Sequence, residues 1–279
     1  MKLAFISPIP HLGSVDAKGD FSFALGHIAL ESEAYRSYFR KRSLQGYEVM
    51  LDNGAYELGG SIPSDQMIQL IREIQPTYAY GMDYPGDPER TKEETCRFGR
   101  RLKQEGLGHV KNVGCVQGNN VEEWLDCYEH FVNAPEVEVI AVPVMTLSNL
   151  EFQAIDPRYK EGQTRWRLLK SIKEEYGFQK PIHLTGLDYP FELWCEEYRD
   201  PMIMSNDSTS CIVHGKQRIM FDPEGKHWPG KYREKMDFSG KLSQGELWFV
   251  FENIRILRRG LDDSGEVSLP AHSVSGVRS

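Results

Sequence analysis

Short apolar runs alternate along the chain with longer segments whose apolar residues recur at helical spacing. Alternation of this kind predicts parallel strands that are joined by helices. Seven apolar runs predict strands, at residues 2–7, 47–51, 77–82, 110–116, 137–144, 181–187 and 202–205. An eighth strand is expected at residues 212–213 or 218–221, whereas residues 13–23 have the composition of a loop.

The segments between these runs predict helices at residues 24–43, 64–74, 87–105, 121–132, 164–176, 191–198 and 247–257. Seven or eight strands that alternate with helices fit one α/β domain, a (β/α)8 TIM-like barrel, whose typical length is about 250 residues. A doubly wound open sheet is the alternative. We expect the barrel to span residues 1–260 and the Ser-, Gly- and Asp-rich residues 261–279 to form a flexible tail.

Polar side chains follow several of the predicted strands, at the point where each strand ends. Asp52, Asp83, Gln117 and Asp207 each come at the end of an apolar run. Loops at the C-terminal ends of many strands build the site of a barrel, whereas an open sheet gathers its ligands at one switch point. The spread of these residues over different strands therefore favours the barrel and predicts a site at its C-terminal mouth.

Asp52 and Asp207 are the candidate catalytic residues. Two carboxylates that face one cavity suit acid–base or nucleophilic chemistry at an acetal-like carbon. One carboxylate can attack or stabilise that carbon while the other moves protons. The alternative is that each aspartate is an ordinary turn or cap residue.

Four further residues are candidates for binding a flat, purine-like ligand. Asp83 can accept hydrogen bonds from a purine edge, and the Gln117 amide can both donate and accept. Gly186 allows the backbone to approach a ligand closely, and Tyr56 can stack on its ring. Purely structural alternatives are a turn acid, a strand-end amide and a core aromatic residue.

The net charge of −8 argues against wholesale binding of nucleic acid, although the field that a ligand meets is local. One segment, residues 216–241, is basic and rich in aromatic residues. Such a segment can contact phosphates and unstacked bases, and a solvated loop is the alternative. Its candidate nucleic-acid contacts are Lys216, Arg218, Lys226, Trp228, Lys231 and Arg233.

Several classes of chemistry lack their sequence signatures. The five cysteines include no C-x-x-C pair and the histidines lie at no recognised ligand spacing, so we predict no metal and no cofactor. Neither nucleotide-binding fingerprint occurs, and there is no G-x-S-x-G elbow. The first apolar run is too short for a signal sequence or a membrane span, so we expect a cytoplasmic protein with no membrane partner.

Five segments in order resemble the tRNA-guanine transglycosylases. Asp52-Asn53-Gly54-Ala55-Tyr56-Glu57 resembles that family's Asp-Ser-Gly-Gly-(Phe/Tyr)-Gln motif, and Val116-Gln117-Gly118 resembles its Val-Gln-Gly segment. Val142-Pro143-Val144 falls where the family has a Gly-Gly-Leu-Ala-Val-Gly run, without the glycines. His183-Leu184-Thr185-Gly186 is similar to Leu-Met-Gly-Val-Gly, and Ser205-Asn206-Asp207-Ser208 resembles the block that carries the nucleophile.

The resemblance implies a TIM barrel that exchanges guanine for a 7-deazaguanine. It implies that Asp207 attacks C1′ to form a covalent glycosyl-enzyme and that Asp52 is the general acid and base. The base edge would be read by Asp83, Gln117 and the backbone of Val142, Pro143 and Val144. Tyr56 would stack on the base, and the target nucleotide would leave its stack to enter the pocket.

Two departures from the family narrow the expected substrate. No cysteine follows Cys211, so the zinc subdomain of the tRNA enzymes is lacking, and the family's Pro-Thr-Arg after the nucleophile is replaced by Cys-Ile-Val-His-Gly. Because it lacks the zinc subdomain, the chain looks more like the DNA-directed 7-deazaguanine transglycosylases of phages and bacteria. We expect exchange of guanine in DNA for a free, preQ0-like base. Alternatives are a zinc-free tRNA enzyme, a non-catalytic partner subunit and a barrel glycosidase acting on small nucleosides.

Overall fold

The computed structural model describes residues 1–144, 160–187, 190–194, 199–223 and 236–262. Within these residues, eight parallel strands form one sheet in the order β1-β8-β7-β6-β5-β4-β3-β2. The strands are Lys2–Phe5 (β1), Ser22–Leu25 (β2), Val49–Asp52 (β3), Tyr78–Tyr80 (β4), Lys111–Cys115 (β5), Val139–Pro143 (β6), Ile182–Thr185 (β7) and Ile203–Ser208 (β8).

The two edge strands of this sheet meet, so that the sheet is a nearly closed barrel. The backbone N–H of Asp20, just before β2, donates to the carbonyl of Leu3 in β1 over 2.7 Å. The backbone N–H of Leu3 in turn donates to Oδ2 of Asp20 over 2.9 Å. The predicted (β/α)8 TIM-like barrel is therefore confirmed.

Helices cover the outside of the barrel, as expected of parallel strands that are buried on both faces. The α-helices are Leu12–Val15 (α1), Gly26–Glu31 (α2), Glu33–Leu44 (α3), Ala55–Leu58 (α4), Ser64–Ile74 (α5), Pro88–Gln104 (α6), Val121–Asn133 (α7), Lys160–Glu175 (α8), Ser210–Lys216 (α9) and Gln244–Asp262 (α10). No helix among the described residues is long and apolar enough to cross a bilayer. Helix α10 extends two residues into the predicted tail, and residues 263–279 lie outside the described residues.

The prediction for the eighth strand was wrong in position. Residues 212–213 belong to α9 and residues 218–221 form no strand, whereas Ser22–Leu25 pairs with β3 from Ser22 opposite Val49 to Leu25 opposite Asp52. This strand is only four residues long and α2 begins directly after it. The helical composition that follows it therefore hid the strand, and the predicted helix at residues 24–43 is in fact β2 followed by α2 and α3.

A buried arginine ties together the C-terminal ends of β6 and β7. Arg165 of α8 has no exposed surface, and its guanidinium donates to the carbonyls of Val142 over 3.2 Å, Thr185 over 3.0 Å and Gly186 over 3.1 Å. Glu192 forms an ion pair with the same guanidinium. Because these carbonyls end their strands, Arg165 holds the backbone that surrounds one side of the barrel mouth.

Helix α7 packs directly on the loop after β5, and this contact requires a glycine. A Cβ atom on Gly118 would lie 2.5 Å from the backbone nitrogen of Trp124, nearer than real atoms approach. We expect Gly118→Ala to lower the free energy of unfolding by about 1–3 kcal/mol, the usual cost of overpacking. Urea unfolding measures the change.

Gly245→Ala is the matched control for this substitution. Gly245 lies in α10, and a Cβ atom there would meet nothing within 4 Å. Alanine also favours helix over glycine by up to about 1 kcal/mol, so stability should be unchanged or raised. Equal stability of the two variants would contradict the proposed packing at Gly118.

Candidate active site

The polar residues at the predicted strand ends meet at the C-terminal mouth of the barrel. Asp52 is the last residue of β3, and Asp207 is the next-to-last residue of β8. Asp83 and Gln117 follow β4 and β5 within three residues. The structure thus brings all four side chains to one end of the barrel, where sites of this fold are built.

Asp207 is held by hydrogen bonds on one of its two carboxylate oxygens. Nε2 of His183 lies 2.9 Å from Oδ1, and the backbone N–H of Gly186 approaches the same oxygen at 3.4 Å. The other ring nitrogen of His183 lies 2.8 Å from Oγ of Ser205. Among the described residues, Oδ2 of Asp207 has no hydrogen-bond partner and can meet a ligand.

Aromatic rings inside the barrel enclose the imidazole of His183. Phe23 stacks on it with centroids 5.9 Å apart, and Phe21 and Tyr80 present edges at 6.1 and 6.2 Å. His183 has no exposed surface. These contacts give the imidazole one orientation, with one nitrogen toward Asp207.

The Asp-Asn-Gly sequence after β3 forms a tight turn for local reasons. Gly54 has a φ of +75°, a conformation that favours glycine, and its N–H donates to Oδ2 of Asp52 over 2.8 Å. Oδ1 of Asn53 accepts from the N–H of Ala55 over 2.9 Å. A side chain on Gly54 would also lie 3.3 Å from His27. The turn therefore fixes Asp52 at the rim of the mouth.

Several negative charges act on Asp52. Burial raises the pKa of its carboxyl well above the ordinary value, and the charges of Glu57, Asp83 and Asp207 raise it further. Burial also raises the pKa of Glu57, against the effect of His27, and the charge of Asp207 adds to the rise. Asp52 is therefore suited to keep a proton that a carboxyl in water would lose.

His27, Asp52 and Glu57 are the residues of the mouth that could share a proton or hold a cation. One donor atom from each lies within 4.8 Å of the others, and Nδ1 of His27 is 3.8 Å from the Glu57 carboxylate. An imidazole with two carboxylates suits several divalent metals. Among the described residues, these three side chains are thus placed either to share protons or to hold a cation.

Asp83 is buried with both carboxylate oxygens already bonded. Nδ2 of Asn53 donates to Oδ1, and Nε2 of Gln117 donates to Oδ2 over 2.7 Å. Burial raises the pKa of Asp83 to about 6, although these hydrogen bonds act in the opposite direction. Oε1 of Gln117 is buried and lacks a hydrogen-bond partner among the described residues. The free acceptor of this group is thus the amide oxygen rather than the acid.

The backbone of Val142, Pro143 and Val144 is buried and largely engaged in the barrel itself. The carbonyl of Val142 accepts from Arg165, and the N–H of Val144 donates to the carbonyl of Thr185 over 3.0 Å. Gly186 has a φ of +71° and directs its N–H toward Asp207. Of these predicted base contacts, Gly186 is the one that the structure joins directly to Asp207.

The remaining predicted contacts lie at the surface or outside the described residues. Tyr56, in the first turn of α4, is 70% exposed, so its ring is available for stacking. Lys216 ends α9, and Arg218 follows it in the left-handed conformation, both exposed. Lys226, Trp228, Lys231 and Arg233 lie outside the described residues.

The strand-end pattern assigned no role to His183, Ser205, His27 or Glu57. A signal for the first two does exist, because Ser205 and Asp207 are two residues apart on β8 and therefore point to the same face. His183 lies opposite Ser205 in the register of β7 and β8. The pairing of the strands, which places His183 there, is not visible in the chain itself.

No protein-family model and no curated protein sequence matches this chain.

The raised pKa of Asp83 predicts that stability depends on pH with a definite sign. The folded protein binds this proton more tightly than the unfolded chain, so stability falls as pH rises from about 4 to about 6. A shift of about two pKa units corresponds to roughly 3 kcal/mol. We expect urea unfolding of wild type to lose roughly this much over that window relative to Asp83→Asn, which cannot titrate. If the stabilities of wild type and Asp83→Asn change with pH in parallel, the raised pKa of Asp83 is contradicted.

Proposed function

We propose that this protein replaces guanine in DNA with a 7-deazaguanine base, through a covalent bond between C1′ of the nucleotide and Asp207. The observation that carries the proposal is the state of Asp207 at the mouth. One of its oxygens is held by His183 and Gly186, and the other has no partner among the described residues. A second acid with a raised pKa, Asp52, lies near enough for the two charges to interact.

In the first step, Oδ2 of Asp207 forms a bond to C1′ while the bond from C1′ to N9 of guanine breaks. The electron pair of that bond goes to guanine, and Asp52 supplies the proton that neutralises the leaving base. The raised pKa of Asp52 favours the protonated form that this step requires. The products are free guanine and a glycosyl ester of Asp207, with Asp52 ionised.

In the second step, ionised Asp52 takes the N9 proton of the incoming 7-deazaguanine. The nitrogen then attacks C1′, the ester bond to Oδ2 breaks, and Asp207 returns as a carboxylate. Two displacements at one carbon restore the original configuration. Atoms and charges balance without an oxidant or a cofactor.

The polar groups around Asp83 support recognition of a guanine-like base. A guanine edge carries several N–H donors, and Oε1 of Gln117 is a buried acceptor without a partner among the described residues. A guanine-like base that is buried at the mouth would donate a hydrogen bond to this oxygen. A buried acceptor without a hydrogen bond costs about 1–3 kcal/mol.

The negative charge of the mouth favours entry of the base without its phosphates. Asp83 and Asp207 form no ion pair with lysine or arginine among the described residues, so their negative charges repel phosphates there. An extruded base can enter while its backbone stays outside, at a cost of a few kcal/mol for unstacking. The exposed Lys216 and Arg218 begin the segment that we expect to contact the phosphates.

The test is incorporation of a 7-deazaguanine into nucleic acid, detected by mass spectrometry of the digested nucleosides. Purified protein with duplex DNA and free base should yield modified DNA, whereas Asp207→Asn should reduce the rate by at least about 10³-fold. Asp65→Asn, an exposed acid of α5, is the control and should keep full activity.

Parallel reactions separate the proposal from its alternatives. Incorporation into tRNA and not DNA would support a zinc-free tRNA enzyme. Release of base from free nucleosides without binding of a polynucleotide would support a glycosidase. Retained activity of Asp207→Asn would overturn its assignment as nucleophile.

The role of Asp52 predicts a shift in the pH–rate profile when Glu57 is neutralised. The exchange rate should fall above the pKa of Asp52, because the protonated acid is the form that acts first. Glu57→Gln removes a negative charge that raises this pKa, so the falling limb should move to lower pH.

Glu73→Gln is the control for this shift, because Glu73 lies on α5 in an ion pair with Arg36. Its profile should match that of wild type. If the falling limb of the Glu57→Gln profile lies at the same pH as in wild type while exchange is otherwise intact, Asp52 is not the titrating acid.

A further inference from the structure

We infer that His183 and Ser205 form a positioning pair, which holds the Asp207 carboxylate in one rotamer and leaves Oδ2 as the oxygen that meets the substrate. The role of Oδ2 as nucleophile rests on the proposed function, whereas the positioning of Asp207 does not. Neither residue touches the reacting atoms of the proposed reaction, so both act through Asp207.

The hydrogen bonds assign a direction to the pair. An ionised carboxylate only accepts hydrogen bonds, so Nε2 of His183 carries the hydrogen and donates to Oδ1 of Asp207 over 2.9 Å. Nδ1 then faces Oγ of Ser205 at 2.8 Å. A hydroxyl that donates to Nδ1 leaves the hydrogen on Nε2, so Ser205 selects the tautomer that serves Asp207.

The strand register builds this arrangement without any loop. His183 lies opposite Ser205 where β7 pairs with β8, and Asp207 is two residues beyond Ser205 on the same face. The imidazole can therefore bridge one layer of the barrel interior to the next. Side chains on strands are positioned more rigidly than side chains on loops.

Packing prevents the imidazole from turning away. His183 is fully buried, stacked on Phe23 and bounded by the edges of Phe21 and Tyr80. A phenyl ring would keep the aromatic character of this layer, although it is larger than an imidazole. The imidazole differs from a phenyl ring in its two hydrogen bonds, to Ser205 and to Asp207. These hydrogen bonds hold the carboxylate and are not needed for packing of the core.

The consequence for the proposed reaction is that Asp207 needs no reorientation before attack. Misplacement of a reacting group by about 1 Å can reduce a rate by about 10²-fold. Loss of the N–H donor should therefore act mainly on kcat for formation of the covalent intermediate. The KM for the free base should change little, because base contacts remain.

Two variants of His183 separate hydrogen bonding from packing. His183→Gln can place its Nε2 near the position of the lost ring Nε2 and still donate to Asp207. His183→Phe fills the aromatic layer but donates nothing. We expect kcat to fall about 100-fold in His183→Phe and less than about 10-fold in His183→Gln. The kcat of Ser205→Ala should lie between those of wild type and His183→Phe.

A core variant remote from Asp207 controls for loss of stability. Ile140→Val shortens a buried side chain in β6 and should leave kcat unchanged. If His183→Phe lowers kcat no more than Ile140→Val does, the positioning pair is refuted, even though exchange by wild type would uphold the proposed function.

Crystal structures of the two His183 variants decide the matter even if no exchange occurs. Asp207 should leave its present rotamer, or occupy several, in His183→Phe, and should keep it in His183→Gln. An unchanged Asp207 in His183→Phe would overturn the inference by itself. Absence of exchange by wild type would overturn the proposed function, and the variant structures would still test the positioning of Asp207.

Discussion

The constraint on which the site depends is the presence of two buried carboxylates and one half-buried carboxylate at one barrel mouth. Each acid meets the cost of leaving water in a different way. Asp207 accepts from His183, Asp83 accepts from two amides, and Asp52 is suited to retain its proton. The charges of Asp83 and Asp207 raise the pKa of Asp52, so neutralising either of them lowers that pKa. The result is one acid suited to attack and another suited to proton transfer.

The barrel makes this concentration of charge possible. Parallel strands present all their C-terminal ends at one mouth, so acids that are far apart in the chain become neighbours. Arg165 reinforces this geometry, because one guanidinium holds the ends of β6 and β7 together. Gly118 has a comparable role after β5, where contact with α7 fixes the backbone next to Gln117.

Local patterns predicted seven of the eight strands. They failed at Ser22–Leu25, because α2 begins directly after this strand and the two patterns run together. At the site, strand-end position identified Asp52, Asp83, Gln117 and Asp207. It did not identify His183, whose importance depends on a neighbouring strand. It also suggested that Asp83 was free to bind, although its oxygens are already bonded to Asn53 and Gln117.

The sequence by itself determined the alternation of strands and helices, and with it the barrel and the end at which its polar residues gather. It also determined the turn after β3, because Asp52, Asn53 and Gly54 bond to one another or to adjacent backbone. The tertiary structure alone decided which acids interact, which carry a raised pKa and which oxygen of Asp207 is open. Burial and charge–charge interaction depend on distances in space, and only the closed register of the strands sets those distances.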